Sequence, residues 1–384
     1  MNILYDYQAF TMQNFGGVSK CFAELISNLP QNINYKLGIK ESINIYLKEN
    51  NLDDNISFTF KGIDDFICKK QFRGKYHLFH LYNTINPWNN YTINKNKQYS
   101  IALLKESRFD IFHPTFYDPY FLKYIGNKPF VLTIHDMTPE LFPQYFPHDT
   151  QVKNKKILSQ KAAHIIAVSE NTKNDIKDIL NIPETKISVI YHGINDNKEI
   201  TKKEKKNHQK YFLYVGDRYG YKNFIPFIKS MSTFLKEHKD ISLICTGKTF
   251  DINEKELFQK LNIDKQIKHQ FASSEDLKIL YKNALAFIYP SLYEGFGIPI
   301  IEAMSNNCPV LLNNCSCFPE IAQNAAIYFS LNEKEDNLNK ILTDFITNYD
   351  YNKKLLNTNA IEVLKQYHWK ISAEKLAQVY NLII

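Results

Sequence analysis

The sequence predicts an α/β protein built from two doubly wound halves, and three observations lead there. Short apolar runs of strand length alternate with amphipathic helical stretches, the pattern of parallel sheets covered by helices. The alternation occurs twice, on either side of a lysine-rich stretch, 195–210, that is nearly devoid of apolar residues. Strands in both halves end in loops carrying glycine, histidine or charged residues, the end at which open α/β sheets hold their ligands.

The first half opens with a strand over residues 2–5. A loop containing Phe15-Gly16-Gly17-Val18-Ser19 follows, then a helix with apolar period through Phe22, Leu25, Ile26 and Leu29 that stops at Pro30. Gly16 and Gly17 either let a substrate approach the helix N-terminus or serve an ordinary turn. The spacing is not the G-x-G-x-x-G of dinucleotide binding, which disfavours a dehydrogenase. Residues 42–108 are less regular, and Lys69, Lys70, Arg73 and Lys75 lie among Phe66, Phe72 and Tyr76. Such a patch suits an anionic lipid surface or a solvated face, and acceptor recognition is expected in this segment.

Residues 110–113 (DIFH) and 129–135 (PFVLTIH) are successive strands, each ending in histidine. His135-Asp136 falls at a strand's carboxyl end, where imidazole either binds a sugar hydroxyl and moves a proton or plays a structural part. The strand at 163–169 ends in Ser169, which with Thr172 reads as a helix N-cap. The strand at 186–191 (KISVIY) closes on His192-Gly193, and the interdomain linker follows at 196–208.

The second half starts with a strand at 211–215 that leads into Gly216-Asp217-Arg218, with Lys222 four positions on. Two cations after a glycine at a strand end make a phosphate clamp, Arg218 as a planar fork and Lys222 as a point charge; without the later acids they would read as surface charges. A strand at 241–245 with the Thr246-Gly247 turn and a helix at 275–281 precede the strand 284–289, which Pro290 stops. The loop 291–298 then meets Pro299, suited to the first turn of a helix. Glu294 in that loop and Glu302 one turn into the helix both reach the crevice. Between them Gly295, Phe296 and Gly297 bring backbone N–H groups to the helix start. Carboxylates so placed can accept two bonds from vicinal sugar hydroxyls, or stand as a solvated loop acid and a helix N-terminal acid. A strand at 308–312, a helix from Pro319-Glu320, and an amphipathic helix at 371–384 after His368-Trp369 complete the chain.

Composition narrows the function. The chain has 384 residues, 44% apolar and 14% aromatic, with a net charge of +7. That is ordinary for a globular protein of two or three domains and suits an anionic ligand or a membrane surface. It falls short of a nucleic-acid footprint. The six cysteines lack paired metal spacing and read as reduced thiols of a cytoplasmic protein. Neither a secretory leader nor a membrane-spanning run is expected.

Glu294-Gly-Phe-Gly followed by Glu302 resembles the E-x7-E signature of retaining family 4 glycosyltransferases, and Gly216-Asp-Arg218-Tyr-Gly-Tyr-Lys222 resembles their R-x3-K element. The likeness runs in order along nearly the whole chain and is weakest over 42–108. It implies the GT-B fold: two Rossmann-like doubly wound domains facing a central cleft, with a C-terminal helix crossing back to the first domain. The expected domains are an acceptor domain at 1–195, a linker at 196–208, a nucleotide-sugar domain at 209–368 and the returning helix at 369–384. By resemblance to bacterial mannosyltransferases of O-antigen and other surface glycans, the expected reaction moves a hexose, mannose favoured, from a nucleotide-diphospho-sugar to a glycan or lipid-linked acceptor, with retention and without metal or other cofactor. GDP-mannose is the favoured donor, and the implied location is cytoplasmic, at the inner face of the membrane if the contact with lipid is real.

The resemblance also distributes roles. His135, Asp136, Glu294, Arg218 and Lys222 form the catalytic set. Gly16, Gly17, Gly216, Arg218, Lys222, Gly295, Phe296, Gly297, Ile298 and Glu302 bind the donor, Glu302 through its ribose. Similar proteins often have Gly where Gln323 stands, a departure that puts one local turn in doubt. Two other classes fit the same residues: a sugar-nucleotide epimerase of this fold, and a non-catalytic sugar-nucleotide-binding module.

Overall fold

A computed structural model describes residues 1–52, 54–57, 88–194, 209–332 and 336–384. The basic patch around Lys69 to Lys75 and the expected linker at 196–208 lie outside the described residues.

Among the described residues twelve parallel strands fall in two halves: β1 (Asn2–Tyr5), β2 (Asn34–Leu37), β3 (Ile111–His113), β4 (Val131–Ile134), β5 (His164–Ala167) and β6 (Ile187–Val189) in the first, and β7 (Lys210–Tyr214), β8 (Ile241–Cys245), β9 (Ile267–His269), β10 (Ala286–Tyr289), β11 (Val310–Asn313) and β12 (Ala326–Phe329) in the second. In the first half β2-β1-β3 and β4-β5-β6 are joined by the parallel bridge of Phe112 with Phe130, giving one continuous order β2-β1-β3-β4-β5-β6. The second sheet runs β12-β11-β10-β7-β8-β9. In each, the order reverses beside the first strand, next to β3 in one sheet and next to β10 in the other. Those reversals place the ligand crevices.

The inner strands are apolar on both faces, as sheets covered on both sides require. VLTI of β4, HIIA of β5, ISLIC of β8, AFIY of β10 and VLLN of β11 are buried throughout. Helices Phe224–Glu237 and Leu338–Thr347 cover one face of the second sheet, and Ile298–Ser305 with Tyr349–Leu364 the other. β2, β9 and β12 were not expected from the sequence. All three lie near or at a sheet edge, where mixed polar text such as NYKL hides the strand signal.

The last helix, Trp369–Asn381, sits in the core of the first half. Its Trp369, Ala373, Leu376, Val379 and Tyr380 are buried there, against the helix Gly17–Ser27. The Tyr380 hydroxyl meets the Tyr5 hydroxyl and His113 Nδ1, each at 2.6 Å, deep in that core. Among the described residues no helix is long and apolar enough to cross a membrane.

Candidate active site

The loops after β7 and β10 flank the reversal in the second sheet, and they bring Lys222 and Glu294 together. The β7 loop turns through Gly216 and Gly220, both at positive φ, into a 3₁₀ turn, Gly220–Lys222, which ends at a left-handed Asn223. Lys222 Nζ then lies 2.6 Å from Glu294 Oε1 and over the rings of Tyr221 and Tyr289. Burial alone would lower this lysine; the Glu294 carboxylate, with the Tyr221 hydroxyl, raises it above its ordinary value. The ammonium therefore stays charged, and beyond Glu294 and Tyr221 it has one further N–H to offer an anion.

Arg218 takes a different carboxylate. Its Nε and Nη2 bind Glu254 at 2.6 and 3.1 Å, and Nη2 also donates to Thr249 O. The guanidinium carbon stacks 4.8 Å from the Phe250 ring, and the buried Nη1 makes no hydrogen bond with the described residues. Glu254 is itself fixed as the third residue of a capping box with Asp251 at the start of helix Ile252–Lys260. The sequence signal Asp251-Ile-Asn-Glu254 was visible; its partnership with Arg218 was not, because it depends on the fold.

Glu302 lies in helix Ile298–Ser305, which starts at Gly297 with φ +86, a left-handed position that favours glycine. Its carboxylate pairs at 2.7 Å with Lys20 of helix Gly17–Ser27, so the two halves meet directly across the crevice. Gly17 faces the same place: a Cβ there would touch only Ile298 Cδ1, at 3.5 Å. Gly17 thus stands opposite Ile298, Gly16 packs on Gln13 of its own loop, and Lys20, which no sequence motif singles out, is the charged residue of that edge.

His135 and Asp136 follow β4 and are half-buried. The His135 amide donates to Tyr117 Oη at 3.0 Å, and its carbonyl packs so closely on Gly295 that a Cβ at 295 would lie 1.7 Å from it. Only glycine fits there. Burial pushes the His135 imidazole down to about 4 despite Asp136, so the ring is neutral at pH 7, and its buried Nε2 makes no hydrogen bond with the described residues. Asp136 accepts the Thr138 amide at 2.9 Å, just before the short helix Thr138–Leu141. Behind both, the fully buried Lys155 donates to Asp136 O at 3.0 Å and to Glu140 at 2.7 Å.

The Phe296 side chain is not in the crevice; it is buried against Tyr191, His192 and Tyr367. Any donor contact from 296 is left to its backbone. Further bonds close the halves on each other. Ser169 Oγ, the N-cap of helix Glu170–Leu180, donates to Gly295 O at 2.6 Å; Tyr293 Oη donates to Asp175 at 2.6 Å; Glu320 accepts the amides of Glu170 and Asn171 at 2.7 and 3.0 Å. A carboxylate at a helix N-terminus satisfies donors that the helix leaves free.

The arrangement is therefore a crevice between two sheets where the His135 imidazole and Asp136 meet the ion pairs Lys222–Glu294 and Lys20–Glu302, with Arg218 held in its own buried pair with Glu254. The family model described as "Glycosyl transferases group 1" matches residues 195–361, and that described as "Glycosyltransferase Family 4" matches residues 62–198. The O-antigen chain mannosyltransferase RfbU of Salmonella typhimurium is 33% identical over 210 residues, covering 53% of this chain and 57% of that protein. O-antigen chain mannosyltransferase B of Escherichia coli is 26% identical over 297 residues, 73% of this chain and 76% of the relative. Among solved structures, Anabaena Alr3699/HepE in complex with UDP and glucose superposes with a TM-score of 0.70 at 14% identity over the full length of both chains. A glycosyltransferase from Rickettsia africae ESF-5 does so with a TM-score of 0.67 at 17% identity, covering 100% of this chain and 98% of that one.

Proposed function

Because the chain belongs to the glycosyltransferases, with the GT-B fold of two facing Rossmann-like domains, we propose that it transfers mannose from GDP-mannose to a hydroxyl of a glycan or lipid-linked acceptor in surface-polysaccharide synthesis, with retention at the anomeric carbon. The observation that carries the reading is the 2.6 Å pair of Lys222 and Glu294 at the reversal of the second sheet, where a donor's diphosphate and sugar would meet a cation and an acid together. The mannosyltransferase names of RfbU and its E. coli counterpart favour the sugar and the glycan acceptor.

In this reading Lys222, the free Nη1 of Arg218 and the helix start at Gly297 neutralise the leaving diphosphate, an electrostatic task that requires no metal of its own. Glu302 takes the ribose hydroxyls. Glu294 and the neutral His135 orient the sugar, and Asp136 lies on the acceptor side. The C1–O bond to the β-phosphate breaks, the acceptor oxygen bonds C1 from the same face, and the departing phosphate oxygen takes the acceptor's proton. The first half then serves the acceptor and the second the donor.

The test is a proton NMR time course with GDP-mannose and a lipid-linked glycan acceptor, with and without EDTA. The proposal expects a product with the donor's α configuration at equal rate in both samples. A β product, or activity abolished by EDTA, contradicts the retaining, metal-independent reaction. Donor conversion without acceptor would replace transfer by epimerisation, and binding without turnover would leave a sugar-nucleotide-binding module.

A further inference from the structure

Three side chains that the donor-binding argument does not unite converge beside the crevice. Cys21 on helix Gly17–Ser27, His135 after β4 and His192 after β6 place one ligand atom each within 4.8 Å of the others. Cys21 is 2% and His192 5% exposed, and His135 is half-buried. The His135 and His192 rings stack at 6.2 Å with their planes 20° apart, and His135 Nε2 is buried without a hydrogen-bond partner among the described residues.

We infer that Cys21, His135 and His192 form a three-ligand site for a zinc-class divalent ion. One thiolate and two imidazoles match the ligand preferences of Zn²⁺, and three protein ligands with one open position are a recurrent zinc arrangement. Zn–N and Zn–S bond lengths set ligand-to-ligand edges of roughly 3.3–3.6 Å in a tetrahedron. Closing from 4.8 Å therefore asks roughly 1 Å of movement by side chains that meet from three different elements. Burial keeps both imidazoles neutral, His192 pushed down to about 3 and His135 to about 4, so neither must shed a proton to bind. The Cys21 thiol, raised by its burial, would release its proton to solvent as the Zn–S bond forms. Lys20 lies near His192, and both Asp136 and the buried Lys155 lie near His135; the two lysines oppose a cation and Asp136 favours one. Resting on the role proposed for His135 above, the ion removes that imidazole from the sugar site and acts as an inhibitor.

Cobalt is the spectroscopic probe. Titrating the full chain with Co²⁺ under anaerobic reducing conditions is expected to give thiolate charge-transfer and tetrahedral d–d bands that saturate at one ion per chain and bleach on adding Zn²⁺. Cys21→Ala, with Cys21→Ser as a second variant and thermal melts as folding controls, should abolish the charge-transfer band and weaken binding beyond the roughly 10–100-fold that lost outer-shell contacts cause. His192→Ala should weaken it similarly. Zn²⁺ should then inhibit mannose transfer by the wild type and spare Cys21→Ala. Absence of the bands, or their persistence in folded Cys21→Ala, overturns the site. The spectra decide this even if mannose transfer proves not to be the activity.

Discussion

Removing Glu254 tests whether Arg218 is held for a ligand by a buried acid. The Arg218 and Glu254 side chains are 6% and 10% exposed, with bonds at 2.6 and 3.1 Å between them. Deleting one partner of a buried pair costs about 3–5 kcal/mol, because the other charge is left without compensation. Glu254 also closes the capping box with Asp251, a contribution of about 1 kcal/mol. Glu254→Ala should therefore destabilise the second half by about 4 kcal/mol, and Glu254→Gln, which keeps an acceptor, by less. The Arg218→Ala/Glu254→Ala double variant should cost less than the sum of the singles, with a coupling of about 2 kcal/mol. Urea unfolding followed by circular dichroism, with constant m values as the control, reads the wild type and all four variants. A Glu254→Ala cost below about 1 kcal/mol, or additive singles, would refute the pairing as the device that positions Arg218.

Gln323 adopts φ +48 and ψ −126, the first central position of a type II′ turn, where glycine is at home. Relief of about 1–3 kcal/mol of strain, less glycine's backbone entropy, predicts that Gln323→Gly stabilises the protein by about 1 kcal/mol in the same urea assay; destabilisation would contradict the strain. Burial holds His113 and His192 down to about 3 and His135 to about 4. The unfolded chain, with imidazoles near 6.5, binds more protons below that pH, so stability is lost as pH falls from about 6.5 towards 4. Asp6, raised by burial, works against this trend. His192→Gln should flatten the dependence near pH 5 by about 1.4 kcal/mol per pH unit; an unchanged slope in a pH series of urea melts would show His192 charged when folded. Glu320→Ala should cost about 1 kcal/mol and speed hydrogen exchange at the amides of Glu170 and Asn171, which it caps across the crevice. Unaltered exchange there would place the cap elsewhere.

What the sequence made legible follows a physical division. Inner strands such as IS-LIC at 241–245 announce themselves because both faces are buried, and the strand–loop–helix around Glu294 does so through Pro290, the glycines and Pro299. Edge strands β2 and β9 keep polar faces and gave no such signal. Of the charged residues, Glu294, Glu302, Arg218 and Lys222 stood in local patterns. Their partners Lys20 and Glu254 lie 282 and 36 residues away in sequence, so no local pattern could pair them. The same holds for Cys21 with His135 and His192, which no local spacing unites.

Donor binding at this crevice depends on whether Lys222, pressed against Glu294, grips the diphosphate. Calorimetric titration of GDP-mannose into the wild type and Lys222→Ala tests it directly, with thermal melts confirming that both are folded. Binding at least about tenfold weaker in the variant, about 1.4 kcal/mol, is the predicted result; affinities within about twofold would contradict it.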